Sequence, residues 1–143
     1  MSNTIYVEYA NRAFGRAHKN YERLMQSIAN YPEPNHDSFN IEIYPPSDDG
    51  SNTYSLFIYG SKLNVNLTLI FDGKNEYFGR VLCRLDNEET ILELFIDDHG
   101  DLIDDKAATY PGGYLGSCGK QNTAMKFLSD IAKKLIEKTI PTS

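Results

Sequence analysis

The chain has 143 residues, two cysteines, ten tyrosines, no tryptophan and a formal charge of −6. That length suits one domain, residues 1–143, able to bury roughly two-thirds of its unfolded surface without disulfides or metals. Two cysteines are too few for a disulfide framework, and no apolar run reaches the ~18 residues of a membrane span. Met1-Ser2-Asn3-Thr4 lacks the charged-then-apolar pattern of a secretory signal, so a reduced, cytoplasmic protein without membrane association is expected.

Residues 9–30 read as an amphipathic helix, because Phe14, Ala17, Tyr21, Leu24, Met25 and Ile28 recur on one face. Pro32 and Pro34 close it. Arg12, Arg16, Lys19 and Arg23 step by 4, 3 and 4 residues and form a stripe on the same helix. A basic stripe can contact phosphate, but the solvent side of such a helix must be polar in any case, and pairing with nearby acids is the simpler reading.

From Asn40 to Ile96 strand-like segments follow one another through short turns. Leu63, Val65, Leu67, Leu69 and Phe71 alternate with Asn64, Asn66, Thr68 and Ile70, the period of a half-buried strand. Strands are expected near 39–45, 53–59, 62–71, 77–85 and 90–97, with a short sixth near 102–104. Gly60-Ser61 reads as a type II′ turn, placing Ile58 opposite Leu63 and Leu56 opposite Val65. Asp72–Asn75 closes the next hairpin and sets Leu67 against Val81 and Val65 against Cys83. Asp86–Glu89 closes the third, with Val81 near Leu94 and Arg84 near Ile91. A one-residue slip would bury Asn64, Asn66 and Glu93, so the inward face is well specified.

The opposite face carries Tyr44, Phe57, Tyr59, Ile70, Phe78, Arg80, Leu82, Arg84, Glu93 and Phe95, a mixture that reads as too polar for a second core. Residues 120–138 form the second helix, with Met125, Leu128, Ile131, Ala132 and Leu135 as its apolar face and lysines in its last turns. The expected fold is therefore α+β. It is a five- to six-stranded antiparallel meander flanked by an N-terminal and a C-terminal amphipathic helix, both on one face.

Charge is unevenly spread. Residues 33–106 hold 16 acids against five bases, whereas residues 9–30 and 120–138 are each net +3. Basic helices and acidic strands make a polarised molecule, which suits a basic protein partner and repels nucleic acid.

No cofactor motif and no assembled catalytic set is visible. The loop Pro111–Lys120 is rich in glycine and enters the second helix, but a Walker phosphate loop has four residues between its first Gly and Gly-Lys. Here Gly113 leaves five. Ser117, Cys118 and Lys120 are still the candidates for a small-ligand or phosphate site, or an enzyme site, using residues 111–120. Cys118 as a nucleophile would need a base such as His18, His36 or His99. Asp97-Asp98-His99-Gly100-Asp101 lacks the ligand spacing of a calcium loop and reads as a turn, so no metal is expected.

The tyrosines are the remaining signal, since Tyr offers large, rigid, amphipathic contact area. Tyr44, Tyr59, Phe78, Arg80, Phe95, Tyr110 and Tyr114 are the candidate partner-binding residues. The leading expectation is a non-enzymatic acidic protein-binding module of the inhibitor, immunity or chaperone-like kind. The outer sheet face is also a candidate homodimer surface. Aromatics beside Arg80 and Arg84 admit single-stranded nucleic acid as a further alternative, disfavoured by the regional charge.

Overall fold

The computed structural model describes residues 3–29, 41–46, 52–71, 77–104 and 113–139. The proline pair Pro32/Pro34, His36, the Asp72–Asn75 turn and Tyr110 lie outside the described residues.

Helix α1 spans Asn3–Ala29. Its start precedes the expected residue 9, because nothing between Asn3 and Tyr9 breaks a helix. Periodicity marks only the packed portion, which buries Ala13, Ala17, Tyr21, Leu24, Met25 and Ile28, while Val7 and Tyr9 remain exposed. The strands follow as β1 Ile41–Tyr44, β2 Tyr54–Ile58, β3 Ser61–Phe71, β4 Tyr77–Leu85, β5 Thr90–Ile96, β6 Asp101–Ile103 and β7 Tyr114–Ser117, and helix α2 spans Gln121–Thr139. They form one curled antiparallel sheet in sequential order, β1 through β7.

Seven strands stand where five or six were expected. The addition is β7, which holds Gly116 at φ +130° and so has no alternating pattern to read. It pairs with β6 across a register shift between Leu102 and Ile103.

The β3–β4 and β4–β5 registers match expectation, with Leu67 opposite Val81, Val65 opposite Cys83 and Val81 opposite Leu94. Arg84 faces Thr90 rather than Ile91, because an irregularity between Cys83 and Arg84 displaces the ladder by one residue.

The β2–β3 turn differs from the expected Gly60-Ser61. Its central residues are Tyr59 and Gly60, at φ 52° and φ 83°, the two positive values of a type I′ turn. Leu56 therefore faces Leu63 and Tyr54 faces Val65, a slip of two residues that leaves every side chain on its expected face. Asn52 supplies the physical reason. Its Nδ2 donates to the Leu67 carbonyl at 2.9 Å and its Oδ1 accepts from the Leu67 N–H at 3.2 Å, so a side-chain amide extends the ladder past the end of β2. Tyr21 Oη of α1 shares its proton between the carbonyls of Asn52 at 2.9 Å and Val65 at 2.8 Å.

Both helices cover the same sheet face. A single core joins Tyr21, Leu24, Met25 and Ile28 of α1, Phe127, Leu128 and Ile131 of α2, and the inward residues Leu56, Val65, Leu67, Val81, Cys83 and Leu94. Phe14, Ile41, Ile43 and Leu92 are half-buried at its margin. Met125, expected inside, is 39% exposed, because the buried arc of α2 is centred on Ala124, Phe127, Leu128 and Ile131 and Met125 falls past its edge.

The outer face also differs from expectation. Phe78, Phe95 and Ile103 form a second buried cluster there, with Ile70 and Tyr114 packed against it. Arrival of β6 and β7 beside β5 brings Ile103 and Tyr114 to that face, which strand patterning over residues 40–96 alone did not include.

Candidate functional site

The aromatic residues of the outer face divide into two groups. Phe78 is 5% exposed and Phe95 is 7% exposed, so both belong to the small outer cluster, and Tyr114 is half-buried against them. Arg80 lies on β4 between Thr68 and Phe95, as its register predicts, and its Nε forms an ion pair with Glu93 of β5. That pair offsets the charge that a nucleic-acid platform would need.

Tyr44 and Tyr59 form the exposed group, at 51% and 48%. Tyr44 ends β1 and stands edge-on to Phe57 of β2, with ring centroids 5.6 Å apart at 90°. Its phenol donates to Glu42 Oε2 at 2.9 Å, and this bond to the carboxylate holds the phenol pKa above its ordinary value. Glu42 was not among the expected site residues, although residues two apart on a strand share a face and its spacing from Tyr44 is a readable signal. Tyr59 is the first central residue of the β2–β3 turn, four residues along from Ser55, the residue that Tyr44 faces on β2.

The described part of the glycine-rich segment, residues 113–120, forms β7 and the entry to α2, with a cleft of about 530 Å³ beside it. Asp101, Tyr114, Ser117, Lys120, Asn122 and Lys126 are among the residues that line this cleft. Cys118 does not line it. The residue is fully buried, its N–H donates to the Gly100 carbonyl at 3.0 Å, and burial pushes the thiol up to about 12. Such a thiol is almost wholly protonated at neutral pH and is a poor nucleophile. Among the candidate bases, His18 Nδ1 lies 2.8 Å from Glu22 within α1, and His99 is exposed in the β5–β6 turn.

Asp97 organises that turn. Its Oδ1 accepts from the N–H groups of His99 at 2.9 Å and Asp101 at 3.0 Å, as a turn aspartate does. Asp101 is held above the usual carboxylate range by partial burial first and by the Asp97 charge second.

The basic stripe of α1 is on the solvent side. Arg16 Nη2 reaches Asp98 at 3.1 Å, and the Arg12 guanidinium lies 5.9 Å from the Tyr9 ring centroid. Lys138 of α2 pairs with Glu89 in the β4–β5 turn. The basic helices are thus tied to acidic turns at both ends of the sheet.

Among the described residues, no helix is long and apolar enough to cross a membrane. No known protein family, no curated protein and no solved structure matches the chain.

Proposed function

We propose that the chain is a non-enzymatic, acidic protein-binding module, an inhibitor, immunity or chaperone-like protein, acting on a partner with a basic surface through Tyr44 and Tyr59. The observation that carries this reading is the position of Tyr59. A type I′ turn favours Asn or Gly at its first central residue, yet this turn holds a half-exposed tyrosine at φ 52°. At the apex of the turn its ring offers a partner large, rigid, amphipathic contact area. Tyr44 and Glu42 add an aromatic and a carboxylate on the neighbouring strand, the chemistry that suits a lysine- or arginine-rich surface. Two free, buried cysteines fit a reducing, cytoplasmic setting.

Affinity capture from the native host tests it. The wild-type chain should recover a basic protein at about 50 mM salt and lose it at about 500 mM, since steering between opposite charges is screened. Tyr44→Ala and Tyr59→Asn should each weaken that capture. Recovery that is indifferent to salt and to both substitutions would sink the reading, and elution of the free chain as a dimer abolished by Tyr44→Ala would assign the face to a second copy.

A second reading is supported by the cleft beside β7, where Lys120 and Lys126 suit a small anionic ligand. Its test is thermal shift with inorganic phosphate and short dicarboxylates, and a shift removed by Lys120→Ala would favour it.

A further inference from the structure

The β1–β2 ladder sets Glu42 opposite Phe57 and Tyr44 opposite Ser55, so Tyr44 stands diagonal to Phe57 on the same outer face. The two rings are perpendicular, with centroids 5.6 Å apart. Tyr44 and Glu42 are exposed and Phe57 is half-buried, so the three side chains form a corner at the surface of the sheet.

Glu42 keeps its charge in that corner. Its bond is to a neutral phenol, which donates to Oε2 and neutralises nothing. Among the described residues no lysine, arginine or histidine pairs with Glu42. Lys62 faces Phe57 from β3, but its Nζ lies 3.9 Å from Asp86 Oδ1 instead. Glu93 of the same sheet face is by contrast paired with Arg80. The bond to Tyr44 also holds the Glu42 carboxylate at the ring edge, so negative charge and an aromatic face are presented together.

A cation over the face of a tyrosine is attracted by the ring quadrupole, and a carboxylate within reach adds a charge-assisted hydrogen bond. The exposed Tyr9 ring already carries such a cation from within the chain, with the Arg12 guanidinium 5.9 Å from its centroid. A guanidinium is planar and weakly hydrated, so it can stack on a ring while its in-plane N–H groups reach a carboxylate. An ammonium is a compact, strongly hydrated point charge with no face to stack.

We infer that the corner of Glu42, Tyr44 and Phe57 seats an arginine side chain of the partner protein. The inference rests on the reading of the chain as a module for a basic partner, and it names the residue by which that partner is held.

Amide chemical shifts of the full chain test it, in titrations at about 50 mM salt with peptides of about eight residues that alternate glycine with arginine, lysine or citrulline. Saturable shifts are expected at Glu42–Tyr44 and Ser55–Phe57. The arginine peptide should bind at least about threefold more tightly than the lysine peptide, and the uncharged citrulline peptide should have no effect. Glu42→Gln and Tyr44→Ala, both at exposed positions, should each weaken the arginine peptide at least about threefold while the amide spectrum elsewhere stays that of wild type. Tyr44→Phe keeps the ring and should lose less than Tyr44→Ala.

Equal affinity for the arginine and lysine peptides overturns the inference, as does arginine-peptide binding that both substitutions leave intact. No shift at these residues up to about 5 mM arginine peptide also overturns it. In each of those cases, capture of a basic host protein that Tyr44→Ala still weakens leaves the module reading standing, whereas capture indifferent to salt and substitution removes both. Shifts at the same amides with protein concentration alone would overturn the inference in favour of a second copy.

Discussion

Gly79 of β4 lies against Ala17 of α1 so closely that a Cβ on Gly79 would stand 2.9 Å from the Ala17 Cβ and 2.9 Å from Leu67 Cδ1. The contact sets the height of α1 above the sheet, because only a residue without a side chain leaves room for the helix there. It also explains why small Ala13 and Ala17 occupy this part of the helix face, with Tyr21, Leu24 and Met25 following further along.

Gly79→Ala should therefore destabilise the fold by about 1–3 kcal/mol, the usual range for overpacking a well-filled core. Urea unfolding reads this directly. A midpoint unchanged from wild type would show that α1 is free to shift, and would undo the argument that this approach is tight.

The Tyr21–Asn52 network makes a second prediction. Asn52→Ala removes the amide that pairs both polar groups of Leu67, and Tyr21→Phe removes the hydroxyl shared by two carbonyls. Each should cost about 1–2 kcal/mol, as loss of part-buried hydrogen bonds does. Hydrogen exchange separates them. Asn52→Ala should speed exchange at the Leu67 amide, whereas Tyr21→Phe removes only a hydroxyl that donates to two carbonyls and should leave that amide slow.

Tyr59→Asn tests the tension between folding and use at the β2–β3 turn. Asn adopts positive φ at lower cost, so the variant should gain about 0.5–1 kcal/mol while losing partner capture. A variant that is less stable than wild type would show that Tyr59 serves the turn, and the functional reading of its position would fall.

Alkaline pH should weaken the fold through its buried acids. Burial pushes the Cys83 and Cys118 thiols up to about 12 and raises the Tyr21 phenol still further. Unfolded thiols titrate at about 8.5, so above that pH the unfolded state binds fewer protons than the native state and stability falls as pH rises. The contribution is intact below the unfolded value and is lost progressively towards pH 12. Thermal unfolding followed from neutral pH to pH 11 should show a falling Tm. At pH 8 an aromatic disulfide reagent should modify less than about one-tenth of a thiol per native molecule, and both thiols in denaturant. A flat Tm, or rapid labelling of the native protein, contradicts the buried placement.

The candidate site was partly legible. Strand alternation assigns Tyr44 and Tyr59 away from the core, and both are exposed. Phe78 and Phe95 followed the same rule yet became interior, since alternation states which side a residue faces and not what arrives to cover it. The pairing that brings Glu42 to Phe57 was not legible, because the long connection between β1 and β2 fixes no register.

Alternation along Ser61–Phe71, Tyr77–Leu85 and Thr90–Ile96 was enough to determine three strands and their buried face, because any one-residue slip would place Asn64, Asn66 or Glu93 in the core, and the turn signals between them fixed their order and their register as far as Cys83. The spacing of Ala17, Tyr21, Leu24 and Ile28 likewise determined a helix and its packed side. Only the tertiary structure decided between registers two residues apart at Tyr59-Gly60, because both keep the same face and the choice fell to the bonds that Asn52 and Tyr21 make across three elements. It also decided that Tyr114–Ser117 is a strand, since β7 is held by its pairing with β6 and its packing under α2 and has no periodic pattern of its own.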